Sequence, residues 1–163
     1  MAYKLRQINN LSVMNIKEMD FFKGMSQEFM DEMAKILVKE SYDEGDIVFK
    51  QGDPAHNFYL LEEGEVKLSI GEEGHISFDI TPGDSFGWFS LIDFDYYSAT
   101  AECKCPSKLI KIEKDRANKL LEKYPASGLA FFKGMSGFMG ERLIKTYTQL
   151  LSAYKEKEQP SYG

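Results

Sequence analysis

The apolar positions first follow a helical period. Phe29, Met33, Ile36 and Leu37 share one face while Glu28, Asp31, Glu32 and Lys35 fall elsewhere, which predicts a helix from a Ser26 N-cap to about Lys39. Ahead of it, Val13, Ile16, Met19 and Phe22 recur at three-residue spacing and predict a shorter helix over 12–22, closed by Gly24. After Glu40 the period changes. Short β-branched and aromatic runs predict strands at 47–50, 58–62, 66–70, 75–80, 97–103 and 109–113. The punctuation between them is Gly45-Asp46, Gly52-Asp53-Pro54, Gly64, Gly71 to Gly74 and Pro82-Gly83-Asp84, all turn-forming. Helical spacing returns over 114–123, and Pro125 opens a long final helix to about Lys155. Along that helix Phe132, Met139, Leu143, Thr146 and Leu150 make a seam at three- and four-residue spacing, flanked by Ile144, Tyr147, Leu151 and Tyr154. Such a seam wants a partner, and a homodimer through this helix is expected. Gly134, Gly137 and Gly140 interrupt it, for close approach or a kink.

The expected fold is mainly β with flanking helices: a double-stranded β-helix or jelly roll of the cupin-like β-roll kind, with N-terminal helices and a long C-terminal helix. One domain fills 1–163, with helices over 1–40, the β-roll over 41–113, C-terminal helices over 114–155 and a tail over 156–163. A net charge of -6 and a pI near 5.0 argue against a nucleic-acid partner, whose affinity would come from phosphate neutralisation. The start lacks the apolar run of a signal peptide and no later stretch is suited to a bilayer, so a cytoplasmic chain with no membrane partner is expected. Cys103 and Cys105 fit a reducing compartment; placed on one strand face, they read as buried structural thiols before half a soft-metal site or a redox sensor.

Catalytic chemistry finds little purchase. His56 and His75 are too few for the several-histidine metal set of a cupin-type enzyme, so no metal is expected. The acids between Asp43 and Glu73 adjoin turn glycines and carry no acid–base role, and no nucleophile–base or phosphate-loop motif occurs. Neither an enzyme nor a cofactor is expected. The stretch from Pro82 to Ala101 is different, because it combines a glycine turn, a short apolar helical turn and a return into a strand. The first N–H groups of a helical turn lack internal partners and make an anion cradle. Yet between Gly83 and Ala101 there is no Lys, Arg or His, while Asp84, Asp93 and Asp95 are acidic.

This order of parts, with Gly45-Asp46, Gly52-Asp53-Pro54-Ala55, Phe58-Tyr59-Leu60-Leu61, Gly64-Glu65-Val66 and Pro82-Gly83-Asp84-Ser85-Phe86-Gly87, resembles the cyclic-nucleotide-binding domain family over about 16–154. The resemblance implies that 86–100 is a phosphate-binding cassette. Phe86, Gly87, Phe89, Ser90, Leu91 and Ile92 match its first part, and Ser98, Ala99 and Thr100 its last. Trp88 stands where the family's ribose-binding Glu would be, and Tyr97 where its phosphate-binding Arg would be. Losing a buried phosphate's charged partner costs ~2–5 kcal/mol and losing a charged ribose contact ~1.5–3 kcal/mol. Their low sum is over two decades of affinity.

The resemblance thus implies a stand-alone regulatory or sensor module without the family's helix-turn-helix, impaired in cyclic AMP or cyclic GMP binding. Its output passes through the dimer or a partner protein. Two alternatives stand beside this: weak cyclic nucleotide binding, with Thr146 or Tyr147 facing the base, or another small effector in a pocket formed by Phe86, Gly87, Trp88, Phe89, Ser90, Tyr97, Ser98 and Thr100. Trp88 and Tyr97 either stack or hydrogen-bond such an effector or plug the pocket as core.

Overall fold

The computed structural model describes residues 22–72 and 76–158. The expected helix over 12–22 lies outside them apart from Phe22, as does His75. Helix α1 (Gln27–Ile36) starts at Ser26, whose Oγ accepts the Phe29 N–H at 3.2 Å. It ends three residues short of expectation. At Leu37 the backbone turns extended and strand β1 (Leu37–Tyr42) begins, pairing over six positions with β8 (Ser107–Glu113). Leu37 suits both elements, being apolar on the helix face and buried against the core as the first strand residue, so helical spacing alone overran the boundary.

The remaining strands are β2 (Ile47–Phe49), β3 (Asn57–Glu63), β4 (Val66–Ile70), β5 (Ile76–Ile80), the short β6 (Ser85–Phe86) and β7 (Thr100–Cys103). They form two four-stranded antiparallel sheets, ordered β1-β8-β3-β6 and β2-β7-β4-β5. The strand expected from Tyr97 begins only at Thr100; Tyr97 is buried against Phe49 instead. Cys105 sits in the turn after β7 and not on a strand, which corrects its expected shared face with Cys103.

The apolar run Phe58-Tyr59-Leu60-Leu61 is buried on both faces. Because strand side chains alternate, Phe58 and Leu60 join Ile110 and Ile112 in a core beneath the helices, while Tyr59 and Leu61 join Leu109 in a core shared by the two sheets. The acids of the glycine turns close those turns: the carboxylates of Asp46, Asp53 and Asp84 accept the N–H groups of Asp43, Lys50 and Thr81, each three residues back.

Helix α2 (Lys114–Lys123) leads into α3 (Pro125–Glu158). Phe131 and Met135 of α3 are buried in the helix-side core, with Phe131 edge-on to Phe58 at 5.8 Å. The Ser26 N–H donates to Ser127 Oγ at 3.1 Å, which fastens the start of α1 to the first turn of α3. The helix runs through its glycines without a break. Close approach is required at Gly128, where an added Cβ would lie 2.8 Å from the Leu121 carbonyl oxygen of α2. Around Gly137 there is open space. We therefore predict opposite signs for the same substitution in urea melts: Gly137→Ala stabilises by up to about 1 kcal/mol, whereas Gly128→Ala destabilises by about 1–3 kcal/mol.

A cavity between the cassette and the long helix

A cavity of about 440 Å³ lies between the second sheet, the stretch from Gly87 to Ala99 and α3. Leu68 and Ile70 of β4, Ile76 and Phe78 of β5, and Phe49 of β2 line one side; Gly87, Trp88, Phe89, Tyr97, Ser98 and Ala99 line another. Met139, Gly140, Arg142, Leu143 and Thr146 of α3 complete it.

The expected helical turn is a short 3₁₀ helix, Trp88–Leu91, entered through Gly87 with φ 73°. That left-handed conformation favours glycine, and an added Cβ would also press on Phe49, Tyr59 and the Asn57 carbonyl at 3.3 Å. Trp88 is buried, stacks on Phe89 at 4.4 Å and forms a wall of the cavity, leaving the volume beside it open. Tyr97 stacks on Phe49 at 3.7 Å. Its hydroxyl donates to the Asn57 carbonyl at 2.6 Å and accepts the Asn57 N–H at 3.1 Å, so its polar end is spent inside the protein. Burial pushes the phenol's pKa upward, and it stays neutral.

Other expected site residues lie elsewhere. Phe86 is buried behind the cavity, stacked on Tyr59 at 5.3 Å. Ser90 is fully buried with its hydroxyl unpartnered among the described residues. Thr100 Oγ1 accepts the Gln51 N–H at 3.0 Å and does not line the cavity. On α3, Thr146 faces the cavity, its hydroxyl donating to the Arg142 carbonyl at 2.9 Å, while Tyr147 is exposed and faces outward. The expected dimer seam is divided in the same way. Met139 and Leu143 line the cavity, whereas Phe132 and Leu150 do not, and the exposed apolar row is Leu143, Tyr147, Leu150 and Tyr154 with Ile144 and Leu151 beside it. Asp93 and Asp95, two of the acids of the cassette stretch, are exposed and outside the lining.

The residue that sequence reasoning missed is Arg142. Its Nη2 donates to the Ser85 carbonyl at 3.2 Å and its guanidinium carbon lies 6.0 Å from the Trp88 ring centre. Burial pulls its pKa down and the Asp84 charge opposes this, yet a guanidinium remains cationic at neutral pH. The signal was present in the spacing, since Arg142 follows Phe131, Met135 and Phe138 on the buried face of α3 and precedes Thr146 by one turn. Among the described residues no group of three or more His, Cys, Asp and Glu could hold a metal, and no helix is long and apolar enough to cross a membrane.

Two sheets with flanking helices, and a cavity bounded by a glycine-entered 3₁₀ turn and a C-terminal helix, define a β-roll. The chain belongs to the cyclic nucleotide-binding domain family, whose model matches residues 39–124. It is 31% identical over 106 residues to a cAMP-dependent protein kinase regulatory subunit of Schizosaccharomyces pombe, a match covering 65% of this chain and 26% of that protein. The chain therefore spans about a quarter of that relative. A structure from Geobacter metallireducens whose name assigns it to cyclic nucleotide binding is 26% identical with TM-score 0.74, covering 82% of this chain and 99% of that one. The sensor domain of the transcriptional regulator DNR from Pseudomonas aeruginosa is 25% identical with TM-score 0.67, covering 80% of this chain and 89% of that one.

The cysteines separate by burial. Cys103 is fully buried and Cys105 partly exposed. Desolvation pushes the Cys103 thiol up to about 11, against a hydrogen bond from Ser107 that lowers it. The unfolded thiol ionises near 9.0, so its contribution to stability is intact below that pH and is lost as pH rises toward about 11. Iodoacetamide at pH 8 is expected to label Cys105 in the folded protein and Cys103 only in urea, with mass spectrometry locating the adducts; labelling of native Cys103 at an equal rate would contradict this burial.

Proposed function

We propose that this chain is a regulatory sensor module, not an enzyme, whose cavity takes a small effector other than a cyclic nucleotide and passes the signal through α3. The observation that carries the reading is the shared lining: Trp88 and Tyr97 from the cassette stretch face the same largely apolar space as Met139, Leu143 and Thr146 of α3. A ligand there touches the β-roll and the helix together, and so favours whichever helix position gives it more contact. Trp88 and Tyr97 leave a nucleotide without the ribose and phosphate partners that the family's pattern implies. The cytoplasm is the expected setting.

The helix offers the output surface. Leu143, Tyr147, Leu150 and Tyr154 are all more than a third exposed, at alternating spacings of four and three residues. That row supports a homodimer with a second copy, its register displaced from the expected seam because Met139 and Thr146 turn toward the cavity. Light scattering is expected to give a dimer mass, and Leu150→Glu a folded monomer; a monomeric wild type at high concentration would remove the dimer.

Arg142 supports a second reading, in which weak cyclic nucleotide binding survives with the helix supplying the phosphate's cation. Isothermal titration with cyclic AMP and cyclic GMP separates the two. The first reading predicts no affinity tighter than about 100 μM; a Kd below about 10 μM would establish the second and displace the first.

A further inference from the structure

The cavity is hydrocarbon on most sides, yet among the described residues it holds one half-buried cation. Its side chains with nitrogen- or oxygen-borne hydrogen-bonding groups are Trp88, Tyr97, Ser98, Arg142 and Thr146. Two of these are engaged elsewhere, the Tyr97 hydroxyl with Asn57 in both directions and the Thr146 hydroxyl with the Arg142 carbonyl. Arg142 is the opposite case. A guanidinium has five N–H donors in a planar fork, and among the described residues one bond is taken from it, at the Ser85 carbonyl. Among the described residues no carboxylate makes an ion pair with it; Asp84 acts on it only as a nearby charge, its own carboxylate accepting from Thr81.

We infer that the cavity is the binding site of an apolar monocarboxylic acid, its carboxylate received by the Arg142 guanidinium and its hydrocarbon part packed against Leu68, Ile70, Phe78 and Trp88. The inference rests on the sensor reading above and names its effector class. Three physical features select this chemistry. One cation among the described lining residues calls for one negative charge, since a second would be buried without a partner there. The planar fork matches a carboxylate through two parallel hydrogen bonds. The aliphatic and aromatic walls reward hydrocarbon, and a volume near 440 Å³ is within the range of small-ligand sites. A ribose and a purine would instead bring several polar groups into a space where, among the described residues, Ser98 and the Trp88 indole are the side-chain partners left beside Arg142.

Trp88 is the chain's one tryptophan and stands at the cavity wall, so intrinsic fluorescence reports on this site directly. The full chain is titrated, below micelle formation, with hexanoate, octanoate, decanoate and 4-phenylbutyrate, and with decanamide as the neutral counterpart; isothermal titration confirms each Kd. Saturable binding is expected, tightening about fourfold per added methylene, with decanoate bound about ten- to a hundredfold tighter than decanamide. In Arg142→Gln, shown to be folded by its circular dichroism melt, that preference is expected to vanish while decanamide binding persists. The comparison of acid with amide on the wild type holds whatever the variant's stability.

Equal affinity of decanoate and decanamide would overturn the assignment of the carboxylate and leave an apolar-effector sensor standing. Saturable binding of none of the acids would overturn the ligand class. Cyclic AMP bound more tightly than about 10 μM, displaced by none of the acids, would overturn both this inference and the reading beneath it.

Discussion

The two-sided burial of β3 and β8 is the constraint on which the rest of this structure depends. Alternate residues of these strands serve two cores, one facing the helices and one facing the second sheet, and from Phe58 to Leu61 neither face of β3 is free to meet water. Phe58 meets Phe131 of α3 across the first core, while Tyr59 carries Phe86 and Phe49 across the second. A one-residue slip of β3 would exchange the two sets, so the long helix and the cavity wall are set in register by the same strand.

From this follows the character of the cavity. The cassette turn leaves the β-roll at Phe86 and Gly87, beside β3, and returns at Tyr97, whose hydroxyl is tied back to Asn57 of the same strand. Tyr97 thus braces the turn from within instead of projecting a charge into the cavity. The positive charge comes from α3, where Arg142 reaches the Ser85 carbonyl at the edge of the first sheet. Frame and charge lie on different elements, and a ligand that engages the charge necessarily engages the helix. This is the physical basis for coupling the cavity to the row of exposed apolar residues on α3, whose first member, Leu143, also lines the cavity.

Much of the fold was legible because its signals are local. The Ser26 cap, the glycine–aspartate turns and the β-branched runs depend on neighbours in sequence, and they located most of the strands and both C-terminal helices. The end of α1 was missed because Leu37 satisfies helix and strand alike, and pairing with β8, some seventy residues away, decides between them. The cavity was legible only in part. Gly87, Trp88 and Ser98 lie within one continuous stretch, whereas Arg142 is brought to them by the docking of a helix more than forty residues later. Searching for the missing charge between Gly83 and Ala101 could not find it there. Its trace was a lone arginine on the face of α3 that also carries Met135 and Thr146. The same docking divided the expected dimer seam, since Met139 and Thr146 have the spacing of an outward row but line the cavity.

The central claim is that the charge which meets a ligand is carried by the long helix and not by the cassette. The side-chain Nε–H resonance of Arg142, assigned by its loss in Arg142→Lys, measures this most directly. On addition of decanoate the account predicts a shift of that resonance that saturates in step with the change at the Trp88 indole N–H. An Arg142 resonance that stays unchanged while Trp88 titrates would contradict it.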